Sequence, residues 1–425
     1  MKIPELHHLF LKSTGISTDS RDIQANSIFF ALKGENFNGN KFALQALEKG
    51  ATHCVVDEVI ESHPHLIPVE NSLKTLQELA RFHREFLKLP IIALTGSNGK
   101  TTTKELINAV LSKKYKTVAT KGNLNNHIGV PLTLLSMNEE TEMGIVEMGA
   151  NHHGEIAALC KIALPDFGYI TNFGKAHLEG FGGIEGVIKA KSELYDSLKS
   201  RNKLIFINSD DETQIKQTSG SKIFSIGESN NPNCPIRFVE ADPYVKILFE
   251  EEVISSQLVG KYNTKNIAAA IGIGAYFDID SKNIKKAIEE YVPANNRSQI
   301  IQKNDNQIIL DAYNANPTSI AAALESFSEM NTNQKIVILG DMFEVGKDSA
   351  KEHQAVVNII EDYGFTKTFL CGKTFFQTKT ADSKIFLFEK FEDLKAQIEK
   401  EKFNRAHILI KASRGMALER ILEYL

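Results

Sequence analysis

Short apolar runs alternate along the chain with longer stretches in which apolar residues recur every three or four positions. Runs of the first kind, such as residues 91–94 and 335–339, predict buried strands. Stretches of the second kind, such as residues 72–87, predict amphipathic helices. Because the two patterns alternate, the sequence predicts an α/β fold built on mostly parallel sheets.

The alternation divides into three predicted domains, residues 1–88, 89–294 and 295–425. In the first, small α/β domain we expect strands at 27–32 and 53–57 and helices at 41–49 and 72–87. In the second we expect strands at 91–94, 117–120, 144–148, 167–171 and 203–208, then an antiparallel hairpin of 245–249 and 253–258 at the sheet edge. Residues 87–90 and 292–296 are the candidate linkers.

The third predicted domain is a second parallel, doubly wound sheet of Rossmann-like type. Its expected strands are residues 307–310, 335–339, 368–371, 384–388 and 406–410. Its expected helices are residues 318–330, 349–362, 391–400 and 416–425. Ligands of such sheets bind at the carboxyl ends of the strands, so the site is expected there.

Composition narrows the class of protein. The formal net charge of −4 and the pI near 6.3 argue against a nucleic-acid partner or a membrane-surface role. The four cysteines, Cys54, Cys160, Cys234 and Cys371, show neither metal-type spacing nor a disulfide pattern, which fits a reduced, cytoplasmic setting. The start of the chain lacks the apolar core of a secretory signal, and we expect no membrane insertion.

A glycine-spaced turn lies between the first strand of the second domain and the helix pattern after it. A strand, a glycine-rich loop and a helix N-terminus together favour phosphate binding, through backbone N–H groups and the helix dipole. A standard Walker A loop would have glycine where Leu94 stands, and the alternative is an ordinary turn with a solvated Lys100. The loop predicts a P-loop-type mononucleotide site formed by Thr95, Gly96, Ser97, Asn98, Gly99, Lys100, Thr101 and Thr102.

Three downstream clusters carry groups that a nucleotide site could use. Glu147 ends an apolar strand, and its oxygens suit Mg²⁺ beside the Thr101 hydroxyl; a solvent-facing glutamate is equally compatible. His177 lies in a glycine-rich loop after a strand, although a lone histidine is more often structural. Lys189 and Lys191 lie on a predicted helix, where the residues alone favour two solvated lysines.

Two further clusters lie closer to the third domain. Asn263 and Asn266 share one face of a predicted helix, where they could cap it or bind a base or ribose. Arg297 follows the second linker, and Asp311 follows the first strand of the third domain. An arginine and an aspartate at this rim suit a nucleotide that is clamped when the domains close.

These clusters, in this order, resemble the Mur ligase family over nearly the whole chain, from near Thr18 to Arg414. Four stretches point to the member that adds D-alanyl-D-alanine: residues 122–131, 176–182, 311–317 and 339–346. The resemblance implies an ATP-dependent amide ligase acting through an acyl phosphate. Its substrates would be UDP-MurNAc-tripeptide and D-Ala-D-Ala, and the family resemblance suggests a monomer.

The resemblance also implies roles for individual residues. Lys100, Glu147, His177, Lys191 and Arg297 match catalytic positions. The phosphate loop, Asn263, Asn266, Arg297 and Asp311 match ATP-binding positions. Two Mg²⁺ sites are implied, with Thr101, Glu147, His177 and Lys191 as ligands, the lysine being a CO₂-derived carbamate.

The implied substrate contacts lie in all three domains. In the first domain they are Ser20, Arg21, Asn38 and Asn40, although the family commonly has aspartate and histidine where these two asparagines stand. The loop expected to meet the UDP-muramyl substrate contains Asn123, Asn125 and Asn126. Those expected on the dipeptide side are Asp341, Glu344, Lys411, Ser413 and Arg414, and Asn314 and Asn316 are two further implied substrate contacts.

Other functions remain open from the sequence. One is a Mur-type ligase that adds the third residue, and another is a folylpolyglutamate synthetase, against which the first-domain motifs speak. A nucleotide-driven switch or motor would hydrolyse ATP without a small co-substrate. A binding module without catalysis would leave some catalytic positions empty, whereas here each expected position is filled.

Overall fold

The computed structural model describes residues 1–293, 296–332 and 334–425. Its principal sheets have four, nine and six strands in chain order, each packed against helices, which confirms the α/β class and the three-domain organisation. The predicted boundary between the second and third domains, at residues 294 and 295, lies outside the described residues.

The first domain is built on a parallel sheet of order β1-β2-β5-β6. Its elements are α1 (Ile3–Leu11), β1 (Ile16–Ser17), β2 (Ile28–Phe30), β3 (Lys33–Gly34), β4 (Phe37–Asn38), α2 (Ala43–Glu48), β5 (His53–Val56), β6 (Leu66–Pro68) and α3 (Ser72–Leu87). The helix predicted at 41–49 begins instead as a 3₁₀ turn, Gly39–Phe42, because the Asn38 side chain accepts a hydrogen bond from the Asn40 N–H.

Helix α3 connects the first domain to the second. Its bounds are those predicted from its periodicity. The Asn71 side chain caps it by accepting from the Lys74 N–H, and the left-handed Lys88 ends it. Its apolar face, with Leu76 and Leu79, shares one buried cluster with Leu134 and Leu159 of the second domain. The two domains therefore have a common core.

The second domain has nine strands in the order β15-β14-β13-β12-β11-β10-β7-β9-β8. Its elements are β7 (Ile91–Thr95), α4 (Lys100–Leu111), β8 (Thr117–Ala119), α5 (Gly129–Leu135), β9 (Met143–Glu147), α6 (Glu155–Ala163), β10 (Phe167–Ile170), α7 (Leu178–Phe181), α8 (Ile184–Ser200), β11 (Leu204–Asn208), α9 (Glu212–Gln217), β12 (Ile223–Gly227), β13 (Cys234–Ala241), β14 (Tyr244–Phe249), β15 (Glu252–Val259), α10 (Asn263–Tyr276) and α11 (Ser281–Glu290).

The predicted hairpin at the sheet edge is confirmed as β14 and β15, which pair antiparallel. Strands β12 and β13 were not predicted, because only some of their residues are buried and their apolar runs are interrupted. Strand β7 is central and parallel to both β9 and β10, so the ends of these three strands meet at one edge of the sheet.

The third domain has strand order β16-β17-β21-β18-β19-β20. Its elements are β16 (Gln299–Lys303), β17 (Asn306–Asp311), α12 (Pro317–Glu329), β18 (Lys335–Gly340), α13 (Ser349–Tyr363), β19 (Lys367–Cys371), α14 (Lys373–Phe376), β20 (Ile385–Phe388), α15 (Phe391–Ile398) and β21 (His407–Lys411). Strand β16 was missed; it pairs antiparallel to β17, whereas the other strands of this sheet pair in parallel.

The helix predicted at residues 416–425 is wrong. Two 3₁₀ segments, Arg414–Met416 and Leu418–Tyr424, stand there, separated by a left-handed Ala417 with φ 46°. Leu418 and Ile421 are both buried, and their spacing of three matches the 3₁₀ repeat. Within the described ranges, no helix is long and apolar enough to cross a membrane.

Candidate active site

The phosphate loop joins β7 to α4 and requires its two glycines. Gly96 has φ 144° and Gly99 has φ 77°, conformations that side chains disfavour. A Cβ on Gly96 would lie 2.0 Å from Thr171 Oγ1, and one on Gly99 would lie 2.5 Å from Asn266 Oδ1. The loop is therefore pressed against the end of β10 on one side and against α10 on the other.

The backbone of Asn98 is fixed by two residues that follow β10. Its N–H donates to Asn172 Oδ1 at 3.1 Å. Its carbonyl accepts from Thr171 Oγ1 at 2.6 Å and from Asn172 Nδ2 at 3.0 Å. Neither residue was predicted as functional, although their position after a central strand is the signal that could have found them.

The Lys100 ammonium folds over its own loop. Nζ donates to the carbonyls of Gly96 at 2.7 Å and Ser97 at 3.2 Å. Burial lowers the pKa of Lys100; the charge of Glu147 opposes that shift and the charge of Arg297 adds to it. Three charged groups from two domains thus lie around the loop.

Helix α10 closes the other side of the loop. Asn263 Nδ2 donates to the Val259 carbonyl at 2.7 Å, and Asn266 Nδ2 donates to Asn263 Oδ1 at 2.8 Å. Asn266 Oδ1 accepts from Thr103 Oγ1 at 3.0 Å. The two asparagines share a face, as the spacing predicted, and connect α10 to the helix that begins at the loop.

Glu147 lies at the end of β9 beside Thr101. Its Oε1 accepts from Thr101 Oγ1 at 3.3 Å and from Asn125 Nδ2 at 2.8 Å. Its Oε2 is buried and has no hydrogen-bond partner within the described residues. An orphaned carboxylate oxygen next to a hydroxyl is the donor set that Mg²⁺ accepts, so these residues fit the implied metal.

No three His, Cys, Asp or Glu side chains converge as a ready-made metal cage in the ranges that the structure describes.

Lys191 is buried, not solvated as the residues alone favoured. Its side chain is 1% exposed, whereas Lys189 is exposed. Nζ donates to the Ala150 carbonyl at 3.1 Å and lies 5.1 Å from the centre of the Phe181 ring. Burial, and then the charge of Lys100, lower the pKa of Lys191 well below the ordinary lysine value.

The helical repeat contained a signal for this burial. Lys191 follows Val187 by four positions and precedes Leu194 by three, and both are fully buried on α8. A lysine in the middle of an apolar stripe was therefore readable from the sequence.

His177 meets the third domain. Its Nδ1 lies 2.8 Å from Glu344 Oε2, and this contact lowers the pKa of Glu344. Both residues have left-handed backbones, with φ 51° for His177 and φ 63° for Glu344. His177 lies in the loop after β10, as predicted, immediately before the short helix α7.

The third domain contributes a cation and an ion pair. The Arg297 guanidinium stacks on Tyr313, with its carbon 3.6 Å from the ring centre. Asp311 Oδ2 accepts from Lys411 Nζ at 2.6 Å, and the lysine also donates to the Asn314 carbonyl at 3.2 Å. Lys411, expected on the dipeptide side, thus neutralises Asp311.

A cavity of about 1280 Å³ brings most of the candidates together. Its lining contains residues of the second and third domains and one from α3, Gln77. The candidates among them are Ser97, Asn98, Gly99, Lys100, Thr101, Thr102, Asn123, Asn125, Asn126, Glu147, His177, Asn263, Asn266, Arg297, Asp311, Asn314, Asn316, Glu344 and Lys411.

The remaining candidates lie outside the described lining of this cavity. They are Ser20, Arg21, Asn38, Asn40, Thr95, Gly96, Lys191, Asp341, Ser413 and Arg414. Asn40 is buried and donates to Asp57 at 2.8 Å, and Arg21 pairs with Asp19 at 2.7 Å.

Three of these residues hold the third domain together. Asp341 accepts from the N–H groups of Thr374 and Phe375, at the start of α14. Ser413 accepts from the Phe343 N–H at 2.8 Å, and Arg414 pairs with Glu419 at 2.7 Å.

Three family models match along the chain. The Mur ligase family catalytic domain covers residues 12–84, the Mur ligase middle domain covers 94–274, and the Mur ligase glutamate ligase domain covers 296–423.

Individual relatives match at nearly full length. UDP-N-acetylmuramoyl-tripeptide–D-alanyl-D-alanine ligase of Bacillus subtilis (strain 168) is 35% identical over an alignment of 423 positions, which covers 96% of this chain and 92% of that protein. A crystal structure of MurF from Acinetobacter baumannii has a TM-score of 0.89 at 28% identity, covering 99% of this chain and 98% of that one. MurF ligase from Thermotoga maritima in complex with ADP has a TM-score of 0.85 at 25% identity, covering 98% and 97%. With this identity over almost all of its length, the chain belongs to the Mur ligase family.

Proposed function

We propose that the protein is the ligase that joins D-alanyl-D-alanine to UDP-N-acetylmuramoyl-tripeptide, with hydrolysis of ATP to ADP and phosphate. The observation that carries this proposal is the full-length likeness to relatives that are named for this reaction. The reaction supplies the pentapeptide precursor of peptidoglycan. Its setting is the cytoplasm, with which the four free, buried cysteines are consistent.

The chemistry needs positioning and charge rather than a protein nucleophile. A carboxylate oxygen of the tripeptide attacks the γ-phosphorus of ATP, and the bond to the β-phosphate oxygen breaks. The amine of the dipeptide then attacks the acyl carbon, a C–N bond forms, the nitrogen loses a proton and phosphate leaves. Such transfers depend on groups that hold and neutralise phosphate oxygens.

The chain's own cations are placed for this work. Lys100 lies at the N-terminus of α4, where free backbone N–H groups would also bind an anion. Arg297 lines the same cavity from the third domain, with its Nε buried and unpaired within the described part of the chain. The two cations would contact the phosphates from opposite domains.

Thr101 and Glu147 would hold one Mg²⁺, which when bound supplies positive charge to the phosphate oxygens. His177 and a modified Lys191 would hold a second ion. The modification is a carbamate: the neutral amine of Lys191 attacks CO₂, an N–C bond forms and a proton leaves. Burial, and then the nearby charge of Lys100, disfavour an ammonium there.

Phosphate release from ATP tests the reaction. With Mg²⁺ present, the purified protein should release phosphate only when both UDP-MurNAc-tripeptide and D-Ala-D-Ala are added. Equal release without the dipeptide would reject the ligase and favour a nucleotide-driven switch. Replacing the tripeptide by the dipeptidyl precursor, and D-Ala-D-Ala by a third-residue amino acid, distinguishes the other Mur-type ligase.

The carbamate has a test of its own. Protein equilibrated with ¹³C-labelled bicarbonate should give a carbamate carbon signal that is absent in Lys191→Ala and present in Lys189→Ala, the exposed neighbour. Activity of Lys191→Ala should fall by at least about 100-fold and recover partly with a short carboxylic acid. A labelled signal that persists in Lys191→Ala would place the modification elsewhere.

A further inference from the structure

The N-terminus of α12, in the third domain, lies against the phosphate loop of the second. Asn316 Nδ2 donates to Asn98 Oδ1 at 2.7 Å, and Asn98 Nδ2 lies 3.4 Å from Asn316 Oδ1. The two residues are 218 positions apart in the chain. This pair, Asn98 with Asn316, is called the clasp below.

The orientation of the Asn316 amide is fixed by its second task. It caps α12: its Oδ1 accepts from the Ser319 N–H at 2.9 Å, and the Ser319 hydroxyl accepts from the Asn316 N–H at 3.0 Å. A capping position needs the oxygen, because the partner is an N–H donor. The nitrogen must then face Asn98, which is the arrangement observed.

The other half of the clasp is equally constrained. Both backbone polar groups of Asn98 are held by Thr171 and Asn172 in the second domain. Its side chain is left for Asn316. Because Asn98 lies in the middle of the phosphate loop, its contact with Asn316 links the third domain directly to that loop.

The neighbouring residues allow the close approach. A Cβ on Gly174 would lie 3.0 Å from Asn98 Nδ2 and 3.1 Å from Thr318 Cγ2, so a larger residue would crowd both. The Lys175 N–H donates to Thr318 Oγ1 at 2.9 Å. Helix α12 thus packs closely against this surface because Gly174 has no side chain.

We propose that the clasp couples the phosphate loop to closure of the third domain, so that nucleotide affinity depends on the Asn98–Asn316 pair. Asn316 is then a positioning residue for the loop, rather than the substrate-binding residue that the resemblance implied. The inference rests on the proposed function in that the nucleotide lies between Lys100 and Arg297. When the clasp is lost, the closed state is less populated, and apparent affinity falls by the same fraction.

Two variants separate the clasp from the helix cap. Asn98→Ala removes one half and leaves α12 untouched. Asn316→Ser removes the other half but keeps a capping hydroxyl, which is too short to reach Asn98. Each should weaken ATP-analogue and ADP binding, measured by calorimetry with Mg²⁺, by about 3- to 10-fold. The double variant should be no weaker than the weaker single variant, because both remove one interaction.

Two results would overturn the proposal. Effects that multiply in the double variant would show that Asn98 and Asn316 act independently, and unchanged affinity in both single variants would show that the contact has no role. Ser319→Ala is the matched control: it disturbs the cap without touching Asn98, so its thermal midpoint should fall while its nucleotide affinity stays the same. Because binding is measured without either peptide substrate, this test does not depend on which amide is made.

Discussion

The second domain meets its two neighbours through interfaces of different character: it shares a large apolar core with the first domain, whereas its apolar contact with the core of the third involves Val259 and Tyr262, and the contacts around the cavity are polar. Towards the first domain the contact is apolar: Leu76 and Leu79 of α3 share a buried cluster with Leu134 and Leu159. Around this cluster the polar groups are buried and paired. Arg84 donates to Asp166 at 2.6 Å, with only 9% of the arginine side chain exposed.

Towards the third domain the described contacts around the cavity are polar and partly exposed. Lys175 Nζ lies 2.7 Å from Glu352, His177 lies 2.8 Å from Glu344, and Asn98 meets Asn316. Water can replace each of these contacts at little cost, because net contributions of exposed pairs are about 0–1 kcal/mol.

The difference indicates which domain moves. Separating the first domain would expose its shared core, at about 25 cal/mol for each Å² of apolar surface. Opening the third domain exchanges polar contacts for water. We therefore expect the first two domains to behave as one unit and the third to open and close over the cavity.

The largest effect is expected from a cavity in the shared core. Leu79→Ala should lower the free energy of unfolding by about 3 kcal/mol, because Leu79 is fully buried between two domains. Urea unfolding followed by peptide-resolved hydrogen exchange should show α3 and α5 losing protection together. Leu324→Ala, equally buried in α12, is the control and should weaken the third domain alone.

If Leu79→Ala loses hydrogen-exchange protection only in α3, the expectation that the first two domains behave as one unit is contradicted. The first domain would then unfold by itself, and its apolar contact would not make one unit of the two.

Some elements of the fold could be predicted from the sequence, and others could not. Helix α3 was predicted with its observed bounds, because an apolar stripe at helical spacing is a local signal. Strand β16 was missed because its residues are only partly buried and carry no alternation. The predicted final helix failed at Ala417, whose left-handed backbone has no signature in its residue type.

For the candidate site, too, some features could be predicted from the sequence and others could not. The phosphate loop was predicted from its glycine spacing between a strand and a helix, and Glu147 from its place at the end of an apolar strand. The pairing of Asp311 with Lys411, or of Asn98 with Asn316, joins residues 100 and 218 positions apart. The first contact depends on which strands pair within the third domain and the second on how two domains pack, and no local pattern in one sequence contains either.

A smaller effect is expected when the pH is lowered, because two histidines are buried near the interface between the first and second domains. His7 Nε2 lies 2.9 Å from His83 Nδ1, and His83 Nε2 lies 3.0 Å from the Met137 carbonyl of the second domain. Burial, and then the charge of His83, lower the pKa of His7 to about 4. The unfolded chain takes up the proton near pH 6.5, so stability present above that pH is lost as the pH falls towards 4.

The expected loss between pH 7 and pH 5 is about 2 kcal/mol in the free energy of unfolding, measured in urea at both pH values. His7→Phe fills the same aromatic surroundings and cannot titrate, so it should lose clearly less over this range. An identical pH dependence in wild type and His7→Phe would remove this histidine from the interface argument.

The smallest effect is expected at the polar interface. Lys175→Ala removes the contact with Glu352, in which 49% of the lysine side chain is exposed, so the free energy of unfolding should change by less than about 1 kcal/mol. The variant should instead favour the open arrangement, weakening nucleotide binding about 2-fold and reducing its dependence on salt. Lys285→Ala changes the net charge equally and breaks a pair with Glu252, far from the cavity in the same domain. If both variants change nucleotide affinity equally, the change in net charge explains the effect. If only Lys175→Ala changes it, the effect comes from the interface between the second and third domains.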